Sequence, residues 1–205
     1  MDLAIDSNDI PSILYSLGDR VKLAVWANSG WNIQTVVSNV SGFGNLVLDS
    51  KGQPHFVYSV DHTTIIYASW NGISWTYRSV SNVKWLEQGS GFPFLALDSL
   101  DYPHISYLTA EAPGAAPELM YAAWTGTAWN IQTVAPGDGP PYLAVDSNRI
   151  PHISYYLGTG PPASIMYAIA AEPVPLYSPL PLQLVLTAVA IGAAVFVVYL
   201  WKKKT

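Results

Sequence analysis

The sequence predicts an all-β chain of β-propeller-like repeats that ends in one transmembrane helix. Two observations lead to this prediction. Residues 1–170 contain four copies of one strand-rich unit, which start at residues 3, 46, 95 and 143. Residues 182–201 then form an uncharged and almost wholly apolar run. We expect about four blades of four strands each, the last of them incomplete, followed by the helix.

The first half of the unit is the clearer part of the repeat. A short apolar segment is joined to a second segment by an Asp-Ser turn that ends in Pro. The four copies read LAIDSNDIPSILY, LVLDSKGQPHFVY, LALDSLDYPHISY and LAVDSNRIPHISY. Asp caps turns and Pro is excluded from central ladder positions, so the two segments are predicted to be strands joined by a tight turn. A spacing in the forties is typical of propeller blades.

The second half of the unit predicts two more strands. It reads LAVWANSGWNIQTV, IYASWNGISWTYRSV and MYAAWTGTAWNIQTV in the first three copies, with a Gly-containing turn in the middle. The fourth copy begins as IMYAIA at 165–170 and then stops, which leaves 15 predicted strands. These strands form either a small, imperfectly closed ring or an arc of a larger one.

Residues 182–201 are predicted to cross a membrane as a helix. Twenty residues at about 1.5 Å each span about 30 Å, the thickness of the hydrocarbon core of a bilayer. Tyr199 and Trp201 suit the membrane interface, and three lysines follow in the tail at 202–205. The basic tail predicts a cytoplasmic C-terminus, with the repeats outside a cell membrane that the chain crosses once.

The segment at 171–181 is predicted to be a stiff stalk, because four of its residues are proline. The order of Pro-rich stretch, apolar helix and basic end resembles the C-terminal sorting signals of prokaryotic surface proteins. The N-terminal sequence MDLAIDSNDIPS has neither the basic nor the apolar region of a secretion signal. The chain is therefore expected to be either tail-anchored or the C-terminal part of a longer protein.

The composition excludes several classes of function. The chain has 205 residues, of which 11% are charged, and its formal net charge is −5. It offers no basic face with interleaved aromatic residues, so nucleic acid is not an expected partner. It has no cysteine, which removes thiol catalysis, Cys-ligated zinc and disulfide bonds. We expect no cofactor.

With these residues in view, the unit resembles the repeats of sialidase-like β-propellers of prokaryotic cell surfaces, the BNR or Asp-box type. The likeness covers residues 3–170 and is strongest at 46–58 and 66–80. The Asp-box pattern itself, Ser-x-Asp-x-Gly-x-x-Trp, does not occur. A sialidase needs three arginines that converge on a carboxylate, whereas Arg20, Arg78 and Arg149 occupy unrelated positions of the unit. We therefore expect no enzymatic activity.

Histidine and aspartate recur at fixed positions of the unit. Equivalent histidines around an axis can converge on a metal, but we favour a structural role in which each histidine bonds its own turn. Ser12 takes the histidine position in the first copy. The aspartates are too few to coordinate calcium and are interpreted as turn caps, so no metal site is expected. The residues are His55, His104, His152, Asp6, Asp49, Asp98 and Asp146.

Six tryptophans recur in the third and fourth strands of the unit. Aromatic faces stack on sugar rings in lectin propellers, so these tryptophans are candidate ligand-binding residues. The alternative, which we favour, is packing between diverging blades, with each indole N–H bonded to a partner. The two roles are compatible. The residues are Trp26, Trp70, Trp124, Trp31, Trp75 and Trp129.

The expected function is that of a membrane-anchored extracellular binding or scaffold module without catalytic activity. The alternative is a carbohydrate-binding, lectin-like propeller, or the C-terminal fragment of a larger glycosidase-like propeller. The expected partners are the membrane, a glycan or a surface protein, and either a second copy of the chain or missing upstream blades. A pocket between blades that combines an exposed Trp face with Arg, Glu or Asn would favour the lectin.

Overall fold

The computed structural model describes residues 1–82, 93–158 and 164–170, and the backbone alone of 182–191 and 194–203. Over these ranges it contains 17 strands in four sheets, so the all-β prediction is confirmed. The predicted stalk at 171–181 and the tail residues 204–205 lie outside the described residues. The chain divides into two compact units, Met1–Val83 and Lys84–Thr205.

The first unit contains two sheets, each built from one copy of the repeat. Every strand pairs antiparallel with its neighbour in the chain, as the hairpin pattern of the sequence predicts. The first sheet consists of β1 (Asp2–Ile5), β2 (Pro11–Leu17), β3 (Arg20–Ala27) and β4 (Gly30–Val37). The second consists of β5 (Gly42–Leu48), β6 (Pro54–Val60), β7 (Thr64–Trp70) and β8 (Trp75–Asn82).

The second unit contains the third and fourth sheets. The third sheet repeats the same antiparallel order, and the fourth begins in the same way. The third consists of β9 (Phe94–Leu97), β10 (Pro103–Thr109), β11 (Glu118–Trp124) and β12 (Trp129–Pro136). The fourth begins with β13 (Tyr142–Val145), β14 (Pro151–Leu157) and β15 (Ser164–Ala170).

The C-terminal segment differs from the sequence prediction. β16 (Leu182–Ile191) and β17 (Ala194–Lys203) form an antiparallel hairpin, and β17 pairs in parallel with β15. The fourth sheet therefore has five strands and is not the short one that we predicted. A run rich in β-branched residues suits a strand as well as a helix, and the outer edge of β15 offers it backbone partners.

The predicted helix over 182–201 is thus not shown. Within the described part of the chain, no helix reaches the length and apolarity that a bilayer crossing requires. The membrane anchor stays a prediction.

Each sheet has two different faces, because side chains alternate along a strand. The front face carries a row of Leu, Ile or Phe, and Ala that lie opposite one another on the first three strands. The rows are Leu3–Ile13–Ala24, Leu46–Phe56–Ala68, Leu95–Ile105–Ala122 and Leu143–Ile153–Ala168. On the back face, the second strand of each sheet presents a His or Ser, and the third strand presents a Tyr or Leu.

Each unit has a core in which the back of one sheet packs on the front of the next. In the first unit, Leu14 and Leu23 from the first sheet meet Leu46 and Phe56 from the second. The core of the second unit joins the third and fourth sheets through Leu108, Leu119, Tyr121, Leu143, Ile153 and Tyr155. Burial of these large apolar side chains is the main source of stability that holds sheet on sheet.

Candidate functional site

The aspartate that follows the first strand of every unit caps the turn to the second strand. Its Oδ1 accepts hydrogen bonds from the backbone amides two and four residues further on, at 2.7–2.9 Å. This is the geometry expected of a turn cap. The four aspartates are Asp6, Asp49, Asp98 and Asp146.

In three units the histidine lies between this aspartate and a tyrosine of the third strand. The imidazole Nδ1 is hydrogen bonded to the tyrosine hydroxyl, and Nε2 lies 3.4–3.6 Å from the second carboxylate oxygen, Oδ2. The three sets are Asp49–His55–Tyr67, Asp98–His104–Tyr121 and Asp146–His152–Tyr167. Each histidine thus lies beside the aspartate of its own turn, and in the third sheet the contact with Asp98 is a hydrogen bond.

The buried copy of this set defines which atom donates each proton. Burial and the nearby Asp98 carboxylate raise the pKa of Tyr121 well above its ordinary value, so the hydroxyl stays protonated. A carboxylate only accepts hydrogen bonds, so Nε2 of His104 carries the proton that faces Asp98. In a neutral imidazole with this proton on Nε2, Nδ1 is the acceptor for the Tyr121 hydroxyl.

The first unit lacks both members of the His–Tyr pair. Ser12 stands at the histidine position and Leu23 at the tyrosine position, and both residues are buried. Loss of one partner alone would leave a buried polar group without its hydrogen bond, which is costly. The joint replacement within one chain indicates that the two residues act as a pair that supports the sheet.

Asp98 differs from the other three aspartates because a residue of the next sheet also bonds it. Arg149 Nε, from the β13–β14 turn, donates to Asp98 Oδ2 at 2.7 Å. Burial raises the pKa of Asp98, but hydrogen bonds from His104, Arg149 and the turn amides outweigh it and hold that pKa well below its usual range. The carboxylate is therefore ionised although it is buried.

No group of three His, Asp or Glu side chains lies close enough to hold a metal ion, as far as the described residues extend. In these three sets each histidine nitrogen faces a tyrosine or a carboxylate of its own sheet. The geometry therefore gives no support to a metal site at the histidine position.

The six tryptophans form three cross-strand pairs, one at the closed end of each β3–β4, β7–β8 and β11–β12 hairpin. The two rings of a pair are opposite in register, with centroids 5.2–5.7 Å apart at steep angles. Edge-to-face rings of this kind stabilise a hairpin. The pairs are Trp26–Trp31, Trp70–Trp75 and Trp124–Trp129.

Exposure distinguishes the three tryptophan pairs. Trp26 and Trp31 are exposed, whereas the other four tryptophans are half-buried. The indole N–H of Trp75 is buried and meets no acceptor in the part of the chain that the structure describes, unlike the bonded indole that the sequence led us to expect. Ring packing is thus the common feature of the six.

A polar cavity lies at the turn end of the second sheet, beside the Trp70–Trp75 pair. Its volume is about 350 Å³. Trp70 provides a half-buried aromatic surface, and cationic, amide and hydroxyl groups surround it. The lining residues are Asp49, Lys51, Gln53, His55, Ser69, Trp70, Asn71, Thr76 and Arg78.

A second cavity, on the back face of the fourth sheet, has a different character. Its volume is about 250 Å³, and aromatic and small side chains line most of it. Phe94 and Tyr142 meet there with ring centroids 5.2 Å apart. It contains one copy of the His–Tyr pair, His152 and Tyr167, but no arginine, lysine or amide side chain.

The sequence interpretation named Trp70, Asp49 and His55, which the structure brings into the polar cavity. It missed Lys51, Asn71 and Arg78 as site residues. These positions can be identified because the second copy of the repeat carries residues there that the other copies do not. Ala27 and Thr125 stand at the position of Asn71 in the other complete units, and Gln34 and Gln132 at that of Arg78.

Comparisons with known proteins bear on the fold alone. No family model matches the sequence, and no curated protein is similar to it. The SapL1 lectin, solved with alpha methyl fucoside, is similar over 80% of this chain and 60% of its own, with 15% identity and a TM-score of 0.54. A variant of the Aleuria aurantia lectin AAL, solved with Fucalpha1-6GlcNAc, is similar over 98% and 71%, with 8% identity and a TM-score of 0.53.

An endo-arabinase from Bacteroides thetaiotaomicron VPI-5482 is more distant, with 12% identity and a TM-score of 0.41 over 80% of this chain and 74% of its own. This chain spans 60% of the SapL1 lectin, so that lectin is the longer protein. The two lectin likenesses show that the fold is β-propeller-like.

Proposed function

We propose that the chain is a carbohydrate-binding β-propeller module, and that the polar cavity of the second sheet is its sugar site. The observation that carries the proposal is the juxtaposition of Trp70 with Arg78 and Asn71 in one cavity of about 350 Å³. This volume lies within the range of small-ligand sites.

The lining residues suit the two kinds of surface that a sugar ring presents. The apolar C–H face of a ring packs on an indole, and Trp70 offers that surface at the edge of the cavity. The ring hydroxyls need donors and acceptors at fixed directions. Arg78 and Lys51 supply donors, and Gln53 supplies both a donor and an acceptor. Asn71 supplies its Nδ2 donor, because its Oδ1 already accepts from the backbone amides of Ile73 and Ser74. Asp49 supplies its Oδ2 as an acceptor, because its Oδ1 caps the turn.

The fold supports the same proposal. The two similar lectins were solved with fucose-containing ligands, so fucosides are the first saccharides to test. Binding requires no bond to be broken, and we propose a module without catalysis. A sialidase would need three arginines to come together at its substrate. Arg149 instead donates a hydrogen bond to Asp98.

A glycan microarray with matched variants tests this proposal. The wild-type chain is expected to bind one group of related glycans, and Trp70→Ala to lose that binding. Trp26→Ala is the control, because Trp26 holds the same repeat position in the first sheet, where Ala27 and Gln34 stand at the positions of Asn71 and Arg78. Equal loss in both variants would assign the effect to hairpin stability, and unchanged binding in Trp70→Ala would contradict the site.

We also propose that residues 182–201 attach the module to a cell membrane, with the repeats outside and the basic tail in the cytoplasm. The uncharged run and the lysines that follow it support this. Alkaline carbonate extraction of membranes that contain the full chain tests it. The account expects the chain in the pellet, and release into the supernatant would contradict the anchor.

A further inference from the structure

The connection between β4 and β5 contains a short sequence pattern that the repeat does not account for. Residues 39–41 read Asn-Val-Ser, whereas the equivalent connection between β12 and β13 reads GDGPP at 137–141. This is the one place in the 205 residues where Asn is followed two positions later by Ser or Thr. Asn-x-Ser/Thr, with any residue but Pro in the middle, is the acceptor pattern for N-linked glycans on exported proteins. Such a short pattern also arises by chance, so its structural setting matters.

The side chain of Asn39 is accessible. The residue is exposed, and its side-chain amide makes no hydrogen bond to the residues that the structure describes. Asn71 is different, because its Oδ1 accepts from two backbone amides of its own turn. The amide nitrogen to which a glycan is attached is therefore not engaged at Asn39.

The backbone around Asn39 is held in place by the first unit alone. The Val40 amide donates to the carbonyl oxygen of Asp19 at 3.0 Å, and the Ser41 amide donates to that of Ser59 at 2.8 Å. The Ser41 hydroxyl oxygen accepts from the backbone amide of His62 at 3.3 Å. The pattern thus lies in an ordered surface turn, which is the setting expected of a glycan acceptor.

Backbone geometry is the alternative explanation for this asparagine. The φ of Asn39 is 60°, in the left-handed region that Asn adopts more readily than most residues. Asn favours that region because its side chain can bond the nearby backbone, which the Asn39 side chain does not do within the described residues. The backbone explanation also concerns residue 39 alone, whereas glycosylation requires the hydroxyl at residue 41. Substitutions at residue 41 therefore separate the two explanations.

We propose that Asn39 carries an N-linked glycan. The side-chain nitrogen forms a bond to the anomeric carbon of a lipid-linked sugar phosphate, the donor that an oligosaccharyl transferase uses. The bond between that carbon and the phosphate oxygen breaks, the lipid phosphate leaves, and one amide proton is released. The proposal rests on the proposed location of the repeats outside the membrane, because this modification belongs to exported chains.

The glycan leaves the polar cavity of the second sheet open. Neighbouring strands of this sheet run in opposite directions, so the β4–β5 connection and the β6–β7 turn lie at one end of it. The β5–β6 and β7–β8 turns, which contribute residues to the cavity, lie at the other end. β6 has seven residues and separates the two ends by about 20 Å. Glycosylation and saccharide binding are therefore expected to be independent.

Peptide mass spectrometry of the full chain, isolated from the membranes of its own cells, tests the proposal. Trypsin cuts after Lys22 and Lys51, so Asn39 lies in the peptide of residues 23–51. We expect this peptide to carry the added mass of a glycan, and fragmentation to assign that mass to Asn39.

Variants produced in the same cells distinguish the glycan from the backbone explanation. Asn39→Gln and Ser41→Ala are each expected to lose the glycan, and Ser41→Thr to keep it, since Thr supplies the same hydroxyl. Ser41→Ala leaves Asn39 and its left-handed backbone in place. Asn28→Gln is the matched control, because Asn28 is also exposed with a positive φ in the same peptide but has no hydroxyl two residues on. It is expected to stay glycosylated.

The outcomes separate this proposal from the proposed function. An unmodified peptide 23–51 in a chain that carbonate extraction leaves in the pellet would overturn the glycan alone, and in a chain that carbonate releases it would overturn the glycan and the anchor. A glycan that persists in Ser41→Ala, or that is attached to Asn28, would also overturn the proposal. Asn39→Gln is expected to bind saccharides as the wild type does, and Trp70→Ala to remain glycosylated.

Discussion

Arg149 in the fourth sheet donates a hydrogen bond of 2.7 Å to the carboxylate of Asp98, which is fully buried in the third sheet. His104 lies on the same carboxylate oxygen at 3.4 Å. One buried anion is therefore shared by a turn, a histidine and an arginine of the following sheet. Removal of the charge is expected to affect both sheets.

Asp98→Asn is expected to destabilise the chain by about 3 kcal/mol, because Arg149 and His104 both lose a charged acceptor in a buried place. Urea unfolding monitored by tryptophan fluorescence measures the change. Asp6→Asn is the control, since Asp6 caps the same turn without a histidine or arginine partner, and it is expected to cost less than about 1 kcal/mol. Similar costs for the two variants would contradict a special role for Asp98.

The stabilisation by Asp98 is expected to disappear in acid. The folded state lowers the pKa of Asp98, so its contribution is complete above about pH 5 and is lost as the pH falls below the unfolded value of about 3.9. The difference in unfolding free energy between wild type and Asp98→Asn should therefore shrink between pH 7 and pH 3. A constant difference over this range would show that the carboxylate is not ionised in the folded chain.

The His104–Tyr121 pair is expected to be coupled. His104→Ala removes one partner of the hydrogen bond, and Tyr121→Phe removes only the hydroxyl of the other. The loss of unfolding free energy in the double variant should therefore be about 1 kcal/mol smaller than the sum of the losses in the two single variants. A double-mutant cycle in urea measures the coupling energy. Tyr77→Phe, which removes an exposed hydroxyl bonded to Val36 O, serves as the uncoupled control with His104→Ala. A coupling energy near zero would rule out the pairing.

Asp9 is expected to be a site where glycine stabilises the chain. Its φ is 61°, and the equivalent residue in the second sheet is Gly52 at 75°. Asp9→Gly relieves a left-handed backbone and should raise the unfolding free energy by up to about 1 kcal/mol, whereas Asp9→Ala should not. Thermal unfolding distinguishes the two variants. A gain in Asp9→Ala as large as that in Asp9→Gly would contradict the backbone explanation.

The sequence predicts the strands and the turn caps well, because these features depend on residues close together in the chain. The Asp-Ser turn and its Pro locate β1 and β2 in the first unit and their equivalents in the others. The pairing of β17 with β15 could not be predicted from the sequence, since it depends on a distant edge. The polar cavity was missed for the same reason, because Lys51 and Arg78 come together only through the register of four strands.

The central claim is that the polar cavity of the second sheet binds a saccharide. The most direct test is isothermal titration of the full chain with methyl α-fucoside and then with a panel of neutral and acidic saccharides. The same titrations are carried out on the Arg78→Ala variant. The account predicts saturable binding of at least one saccharide to the wild type and a loss of at least about tenfold in affinity for Arg78→Ala. Absence of binding by every saccharide, or equal affinity for the two proteins, would contradict it.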